Sequence, residues 1–158
     1  MTSVLAPLVA AFPVPERAVE FADRPVADEE LAALLGAARV APSADNLQTW
    51  RFVTVRAAET RARLGEAAGS AVGASLRAAP VVVAACGVRA LVSRKRREQP
   101  FVWIDVPIAV SHLLLQATEL GLGCAWTPEL DEARVRATLS IPADVRVVAL
   151  IGLGWPTP

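Results

Sequence analysis

Histidine and cysteine are scarce in this chain of 158 residues, which has one histidine and two cysteines. Without a second histidine or a Cys/His cluster, the sequence gives no signal of a metal site. We expect His112 to be a core or interface histidine rather than a catalytic base. Cys86 and Cys124 lie in apolar runs, which predicts buried, reduced thiols in a cytoplasmic protein.

An excess of charge of either sign is also lacking, because 16 basic residues balance 16 acidic ones. This balance argues against nucleic acid or a membrane surface as a partner. The uncharged run 106–118 is too short to span a membrane and contains polar residues and a proline. The apolar N-terminus has no basic start and contains three prolines in its first 15 residues, so it does not resemble a signal peptide.

Several catalytic motifs are missing as well. The sequence has no Walker loop, no G-x-G-x-x-G after a strand, no G-x-S-x-G elbow and no evident pair of carboxylates in a cleft. A hydride-transfer enzyme needs none of these, because its cofactor carries the chemistry. Hydrophobic residues make up 54% of the chain, an excess that an obligate dimer interface would explain.

The length predicts one domain over residues 1–158. Apolar periodicity predicts helices over 29–40, 58–77, 101–120 and 131–139, and strands over 51–56, 80–86, 124–127 and 145–153. This mixture predicts an α+β or mixed α/β domain. Residues 1–20 are poorly readable, although 15–21 could form a short helix. The helix 101–120 is apolar on nearly every side, which predicts a central position or a dimer interface.

The segment 87–100 contains the only dense charge block, with basic residues at positions 94–97. A solvated loop is the default interpretation of such a block. The functional alternative is a short lid over a site that attracts phosphate or another anion.

One polar loop, over residues 41–50, separates an apolar-striped helix from a β-branched strand. Pro42 ends the helix, and Trp50 leads into the strand. Between them lie Ser43, Asn46 and Gln48, whose side chains donate and accept hydrogen bonds. Such a loop suits a flat polar ligand, although helix-to-strand connections are polar by default.

This loop resembles the P-S-x-x-N-x-Q-x-W signature of the nitroreductase-like flavoproteins. The preceding helix, the segment 105–123 with its G-L-G exit, and the segments 141–145 and 152–156 resemble the same family in the same order. The resemblance covers residues 21–156. It implies a central, mostly antiparallel sheet flanked by helices.

The resemblance further implies flavin mononucleotide (FMN) bound between the two subunits of a homodimer. Ser43, Asn46 and Gln48 match the family positions that contact the isoalloxazine and ribityl groups. Trp126, Thr127 and Glu129 lie in the segment whose backbone N–H groups face the reactive edge of the ring. Pro128 has no N–H, so Glu129 is the expected donor.

The family's phosphate-binding arginines have no counterparts at the matching positions 15–21 or after the final G-x-G-x-P turn. The candidates to replace them are Arg17, Arg24, Arg51 and the block 94–97. Unpaired phosphate charge in a site is costly, so this departure bears on whether FMN binds at all.

Two functional hypotheses remain open on the sequence. The first is an FMN-dependent oxidoreductase, in which ping-pong hydride transfer joins NAD(P)H to a nitro compound, quinone or enone, or which dehydrogenates a small biosynthetic substrate. The second is a nitroreductase-like protein that has lost efficient flavin binding and serves as a binding or assembly subunit.

Overall fold

The computed structural model describes residues 19–88 and 101–157. The interpretations of the N-terminal segment before residue 19, including Arg17, and of the charge block at 94–97 lie outside the described residues. The described helices and strands, in chain order, are α1 (Asp28–Arg39), β1 (Trp50–Val55), α2 (Ala58–Ala67), α3 (Ser70–Ala78), β2 (Val81–Val88), α4 (Val102–Glu119), β3 (Gly123–Thr127), α5 (Glu132–Leu139) and β4 (Val145–Gly154).

The strands form one antiparallel sheet in the order β1-β2-β4-β3, which confirms the predicted α+β fold with its mostly antiparallel sheet. The continuous apolar run Val81–Val88 forms a central strand because both of its faces are buried. Val81, Val83 and Ala85 join the hydrophobic cluster on one face of the sheet, together with residues of α1 and α4. The alternate residues of β2 join a second cluster, with residues of α2, α3 and α5.

The predicted helix 58–77 is instead two helices, so that prediction was wrong in its continuity. The chain leaves helical geometry at Ala68, and the amide of Gly69 donates to the carbonyl of Glu129 at 3.1 Å. A Cβ atom on Gly65 would come within 2.5 Å of the Gly73 carbonyl oxygen. The absence of side chains at Gly65 and Gly73 therefore permits α2 and α3 to pack backbone against backbone.

Helix α4 agrees with the predicted 101–120 helix and ends as predicted. Gly121 has φ of +77°, and the amide of Leu122 donates to the carbonyl of Ala117 at 2.8 Å, which is the C-cap geometry that glycine favours. One face of α4 is buried. The other face is not buried in the single chain, because Trp103 and Ile104 are 44% and 49% exposed.

Of the short helix considered for residues 15–21, only residues 19–21 are described, and these are not helical. Residues 19 and 20 have no regular structure, and Phe21 forms an isolated antiparallel bridge with Pro156. The bridge joins this segment to the end of β4, beside Gly154. Phe21 therefore packs under the sheet edge instead of entering a helix.

The two cysteines are buried on opposite faces of the sheet, as predicted for core thiols. Burial raises the pKa of Cys86 and of Cys124 to about 12. Both thiols therefore stay protonated near neutral pH and are poor nucleophiles. Among the helices of residues 19–88 and 101–157, none has the length and apolar character that a membrane crossing requires.

A β-bulge in β4 is held by an ion pair. The register of β4 against β2 shifts between Ala85 and Cys86, and the amide of Val147 beside this shift donates to Glu132 Oε1 at 3.0 Å. Arg146 donates to the same carboxylate through Nε and Nη2, at 2.8 and 2.7 Å. Glu132 therefore fixes the start of α5 to the sheet at the bulge.

We expect Glu132→Gln to lower the free energy of unfolding by about 2 kcal/mol at pH 7, because hydrogen bonds to a charged partner are lost. The hydrogen bond from Arg146 lowers the pKa of Glu132 from its usual value of 4.5. This contribution is present above pH 4.5 and is lost as the pH falls through the lower folded value. The difference between wild type and variant in urea unfolding should therefore shrink below pH 4.5.

Glu66→Gln is the matched control, because Glu66 pairs with Arg134 at 3.3 Å while both side chains are more than half exposed. Its expected effect is at most about 1 kcal/mol. Equal losses in the two variants, or a gap in unfolding free energy between Glu132→Gln and wild type that does not narrow as the pH falls below 4.5, would contradict the role assigned to Glu132.

Candidate functional site

The polar loop after α1 is built by its own hydrogen bonds. A 3-10 turn covers Ala44–Asn46. The hydroxyl of Ser43 accepts from the amide of Gln48 at 3.0 Å, which closes the loop across five residues. One acceptor site of the Ser43 hydroxyl is therefore already used within the loop. Thr49 and Trp50, at the end of the loop, are buried.

The backbone of this loop is strained. Asp45, Asn46 and Gln48 have φ of 50°, 53° and 49°, in the left-handed region that residues other than glycine rarely adopt. Asparagine and aspartate tolerate this region better than glutamine does. Three such residues within four positions require surrounding contacts to hold them, and clusters of this kind concentrate at ligand-binding sites.

The predicted side chains on this loop come together. Asn46 and Gln48 are both exposed, and Gln48 Nε2 donates to Asn46 Oδ1 at 3.2 Å. Within the described residues, this pairing leaves the amide nitrogen of Asn46 and the amide oxygen of Gln48 available to a ligand. The pair thus presents a donor and an acceptor on one edge of the loop.

Arg51 lies against the same loop. Its Nη1 donates to the carbonyl of Trp50 at 2.7 Å and to that of Gln48 at 3.3 Å. The side chain is held by one nitrogen and the residue is exposed, so its positive charge faces the solvent next to the loop. Arg24 differs, because its guanidinium stacks over the ring of Trp155 at 3.6 Å from the centroid.

The second predicted segment forms the end of β3 and the turn after it. Thr127 is buried, and its Oγ1 accepts from the amide of Glu129 at 3.0 Å. The N–H expected to face a ligand is therefore engaged within the turn in this structure. Trp126 is half-buried, and its indole nitrogen is buried without an acceptor among the residues described.

The two predicted segments do not meet within one chain. In the strand register, Trp50 of β1 pairs with Gly87 of β2, which in turn pairs with Arg146 of β4. Thr127 of β3 pairs with Leu150 of β4. Three strand spacings across the sheet and four residues along it separate Trp50 from Thr127 by roughly 20 Å. One tricyclic ring does not cover that distance, so a single ligand of that size cannot contact both segments of the same chain.

Asp105 is a residue of this region that the sequence reasoning did not single out. It lies in the first turns of α4 and is 2% exposed. Its Oδ1 accepts from the amide of Ala44 at 3.1 Å, across 61 residues of sequence. A signal was present, because Asp105 is the only charged residue between positions 102 and 118.

A shallow groove of about 330 Å³ runs between the end of α1 and the second half of α4. Val40 on its rim is 76% exposed, and His112 is half-buried in its wall. His112 therefore lies in the wall of this groove, and no hydrogen bond between it and the polar loop is found among the described residues. In the described ranges, no three His, Cys, Asp or Glu side chains gather as metal ligands.

Known proteins resemble most of this chain in sequence and in fold. A protein of Archaeoglobus fulgidus, provisionally named an NADH dehydrogenase/NAD(P)H nitroreductase, is 32% identical over 142 residues, which cover 86% of this chain and 78% of the relative. The 5,6-dimethylbenzimidazole synthase of Rhodospirillum rubrum is 32% identical over 168 aligned positions, covering 86% and 75%. The solved structure of an FMN-dependent nitroreductase from Clostridium difficile superposes with a TM-score of 0.79 at 27% identity, covering 90% of this chain and 84% of that one.

The family comparison covers nearly all of the described fold. The model of the nitroreductase family matches residues 19–155, from the segment before Phe21 to Trp155. That span includes the strained polar loop, helix α4 and the β3 turn. The chain is a member of the nitroreductase family and an oxidoreductase by that membership.

Proposed function

We propose that this protein is an FMN-dependent oxidoreductase in which NAD(P)H reduces a small acceptor such as a nitro compound, a quinone or an enone. The observation that carries the proposal is the strained loop that presents the Asn46 and Gln48 amides. The FMN-dependent relative and the relative named for NAD(P)H support the same cofactor and donor.

The residues of the loop fit the ring and ribityl parts of FMN. The paired amides offer a donor and an acceptor to the polar edge of an isoalloxazine or to ribityl hydroxyls. The backbone strain fixes these groups before the ligand arrives, which lowers the entropic cost of binding. Bound FMN would supply the hydride-accepting and hydride-donating chemistry.

The phosphate of FMN needs a cation, and among the described candidates Arg51 fits best. Its guanidinium is held by the Trp50 and Gln48 carbonyls and lies at the loop that would bind the rest of the molecule. Arg24 is already stacked on Trp155. Arg51 therefore offers a fixed, exposed cation to the phosphate.

A homodimer completes the site in this proposal. The loop of one chain lies roughly 20 Å from that chain's own β3 turn, by strand spacing and register. Trp126, Thr127 and Glu129 of one subunit would thus face the loop of the other. The exposed apolar face of α4 offers the surface on which two copies would pack.

The β3 turn would act through its backbone and through shape. Thr127 Oγ1 accepts from the Glu129 amide in this structure, and in this proposal the amide exchanges that hydrogen bond for one to the ring edge when FMN binds. A hydrogen-bond donor at that edge would stabilise negative charge that develops on the ring. Pocket walls, rather than a dedicated acid or base, would select the acceptor.

A second candidate is dehydrogenation or oxidative conversion of a small biosynthetic substrate, on the same cofactor. The similarity to 5,6-dimethylbenzimidazole synthase favours it. The assembly-subunit hypothesis rests on the missing phosphate arginines, and the position of Arg51 weighs against it.

Binding of FMN and of riboflavin tests the proposal and the role of Arg51 together. Wild type should bind FMN with a flavin absorption spectrum that NADH or NADPH bleaches anaerobically. We expect Arg51→Ala to weaken FMN binding about tenfold while riboflavin binding stays within about twofold, because only FMN carries the phosphate. Fluorescence titration with the two flavins measures the ratio.

Arg24→Ala is the matched control, because it removes the same charge from a guanidinium that stacks on Trp155. A ratio that changes in Arg24→Ala and not in Arg51→Ala would assign the phosphate to Arg24. A colourless wild type that binds neither flavin would contradict the proposed oxidoreductase and favour the assembly subunit.

A further inference from the structure

Asp105 combines features that a purely structural residue would not need. It is 2% exposed, and among the described residues its carboxylate accepts one hydrogen bond, from the amide of Ala44 at 3.1 Å. The other carboxylate oxygen, Oδ2, is buried and has no hydrogen-bond partner among residues 19–88 and 101–157. The side chain therefore buries a polar oxygen without compensation.

Burying a carboxylate in this way is costly, since an unpaired polar atom loses its hydration. The N-terminal end of α4 offsets part of the cost, because the helix dipole favours negative charge in the first turns. An apolar side chain of similar size would avoid the penalty at this position. What the carboxylate adds is a link from a rigid, buried helix to the backbone of the loop.

The hydrogen bond from Ala44 to Asp105 lies where the strained part of the loop begins. Ala44 opens the 3-10 turn that leads into Asp45 and Asn46, both held at positive φ. Ser43 Oγ secures the other end through the Gln48 amide. The strained residues thus lie between the hydrogen bond of Ala44 to Asp105 and that of Gln48 to Ser43, and Asp105 reaches the loop from a separate helix.

We propose that Asp105 is a positioning residue for the cofactor-binding loop: its carboxylate holds the Ala44 amide so that Asn46 and Gln48 keep their strained, ligand-ready conformation. The inference rests on the proposed function, because it takes FMN as the ligand of the loop. It assigns to Asp105 a role in ligand affinity instead of one in global stability.

The test compares Asp105→Ala and Asp105→Asn with wild type in two measurements. Amide hydrogen exchange of the FMN-free protein reports the anchor at Ala44, and FMN fluorescence titration reports its consequence. Asp105→Ala should speed Ala44 exchange about tenfold and raise the FMN Kd about tenfold. Asp105→Asn keeps an acceptor oxygen of the same reach and should restore both values to within about threefold of wild type.

Val110→Ala is the matched control, because Val110 is buried in the same helix as Asp105. Truncating its side chain removes packing contacts from the core and lowers stability without touching the loop anchor. It should reduce the melting temperature while leaving Ala44 exchange and the FMN Kd near wild type. Asp105→Ala should show the reverse pattern.

An unchanged FMN Kd in Asp105→Ala, with wild type binding FMN, would overturn the inference and leave the proposed function intact. A loss of affinity that Val110→Ala reproduces at equal destabilisation would also overturn it. A wild type that binds no FMN would overturn the proposed function, and the Ala44 exchange rates would still show whether the anchor exists.

Discussion

Arginine in place of Ser111 is expected to convert the proposed homodimer to a monomer and to abolish the proposed tight binding of FMN. Ser111 is exposed on α4, on the same stripe as Ile104, Ile108 and Leu115. In a two-fold interface the same patch meets its own copy, so two arginines would approach each other. Such like-charge contacts cost several kcal/mol, which raises the dimer Kd at least about a hundredfold.

Size-exclusion chromatography with light scattering measures the mass, and FMN titration measures the site. Ala137→Arg is the matched control, because Ala137 is exposed on α5, on the opposite side of the sheet. It should leave the dimer and FMN binding unchanged. A Ser111→Arg protein that remains dimeric would contradict the α4 interface, and a monomeric wild type that binds FMN would contradict the two-chain site.

Glycine in place of Asn46 is expected to raise the FMN Kd about tenfold to a hundredfold, because the ligand loses the amide that the loop presents. Glycine adopts φ of 53° at no steric cost, so the backbone of the loop should persist. The melting temperature should therefore change little. Isothermal titration with FMN and thermal unfolding without it separate the two effects.

Asn46→Ala serves as the companion variant, since it removes the same side chain but places a Cβ atom at positive φ. It should lose stability as well as affinity, by about 1 kcal/mol relative to Asn46→Gly. Equal FMN affinity in wild type and Asn46→Gly would show that the Asn46 side chain does not contact the cofactor.

The local elements follow closely from local sequence. The apolar run at β2 predicts a strand buried on both faces, and Gly121 predicts the end of α4, because periodicity and a residue's own backbone preference decide these features. The split between α2 and α3 did not follow. It depends on the Glu129 carbonyl, which lies 60 positions away and accepts from the Gly69 amide.

Part of the candidate site could likewise be predicted from the sequence, and part of it could not. Ser43, Asn46 and Gln48 are identifiable from sequence because they lie in one short polar loop between an apolar helix and a strand. The hydrogen bond from the Ala44 amide to Asp105 is not, because the chain must fold before residues 61 positions apart come into contact. The use of the Glu129 amide by Thr127 likewise depends on the geometry of the turn after β3.

The sequence by itself determined the family, most of the order of helices and strands, and the residue types of the polar loop, since each depends on residues that are close together in the chain. Only the tertiary structure decided that the loop backbone is strained, that Arg51 is fixed beside it, and that the loop lies roughly 20 Å from the β3 turn of its own chain. The distance follows from strand order and register, and the loop geometry includes a long-range hydrogen bond to Asp105, so both arise when distant segments pack together. The hydrogen bonds of Arg51 are local, but they depend on the conformation of the loop backbone, which the residue types alone do not give.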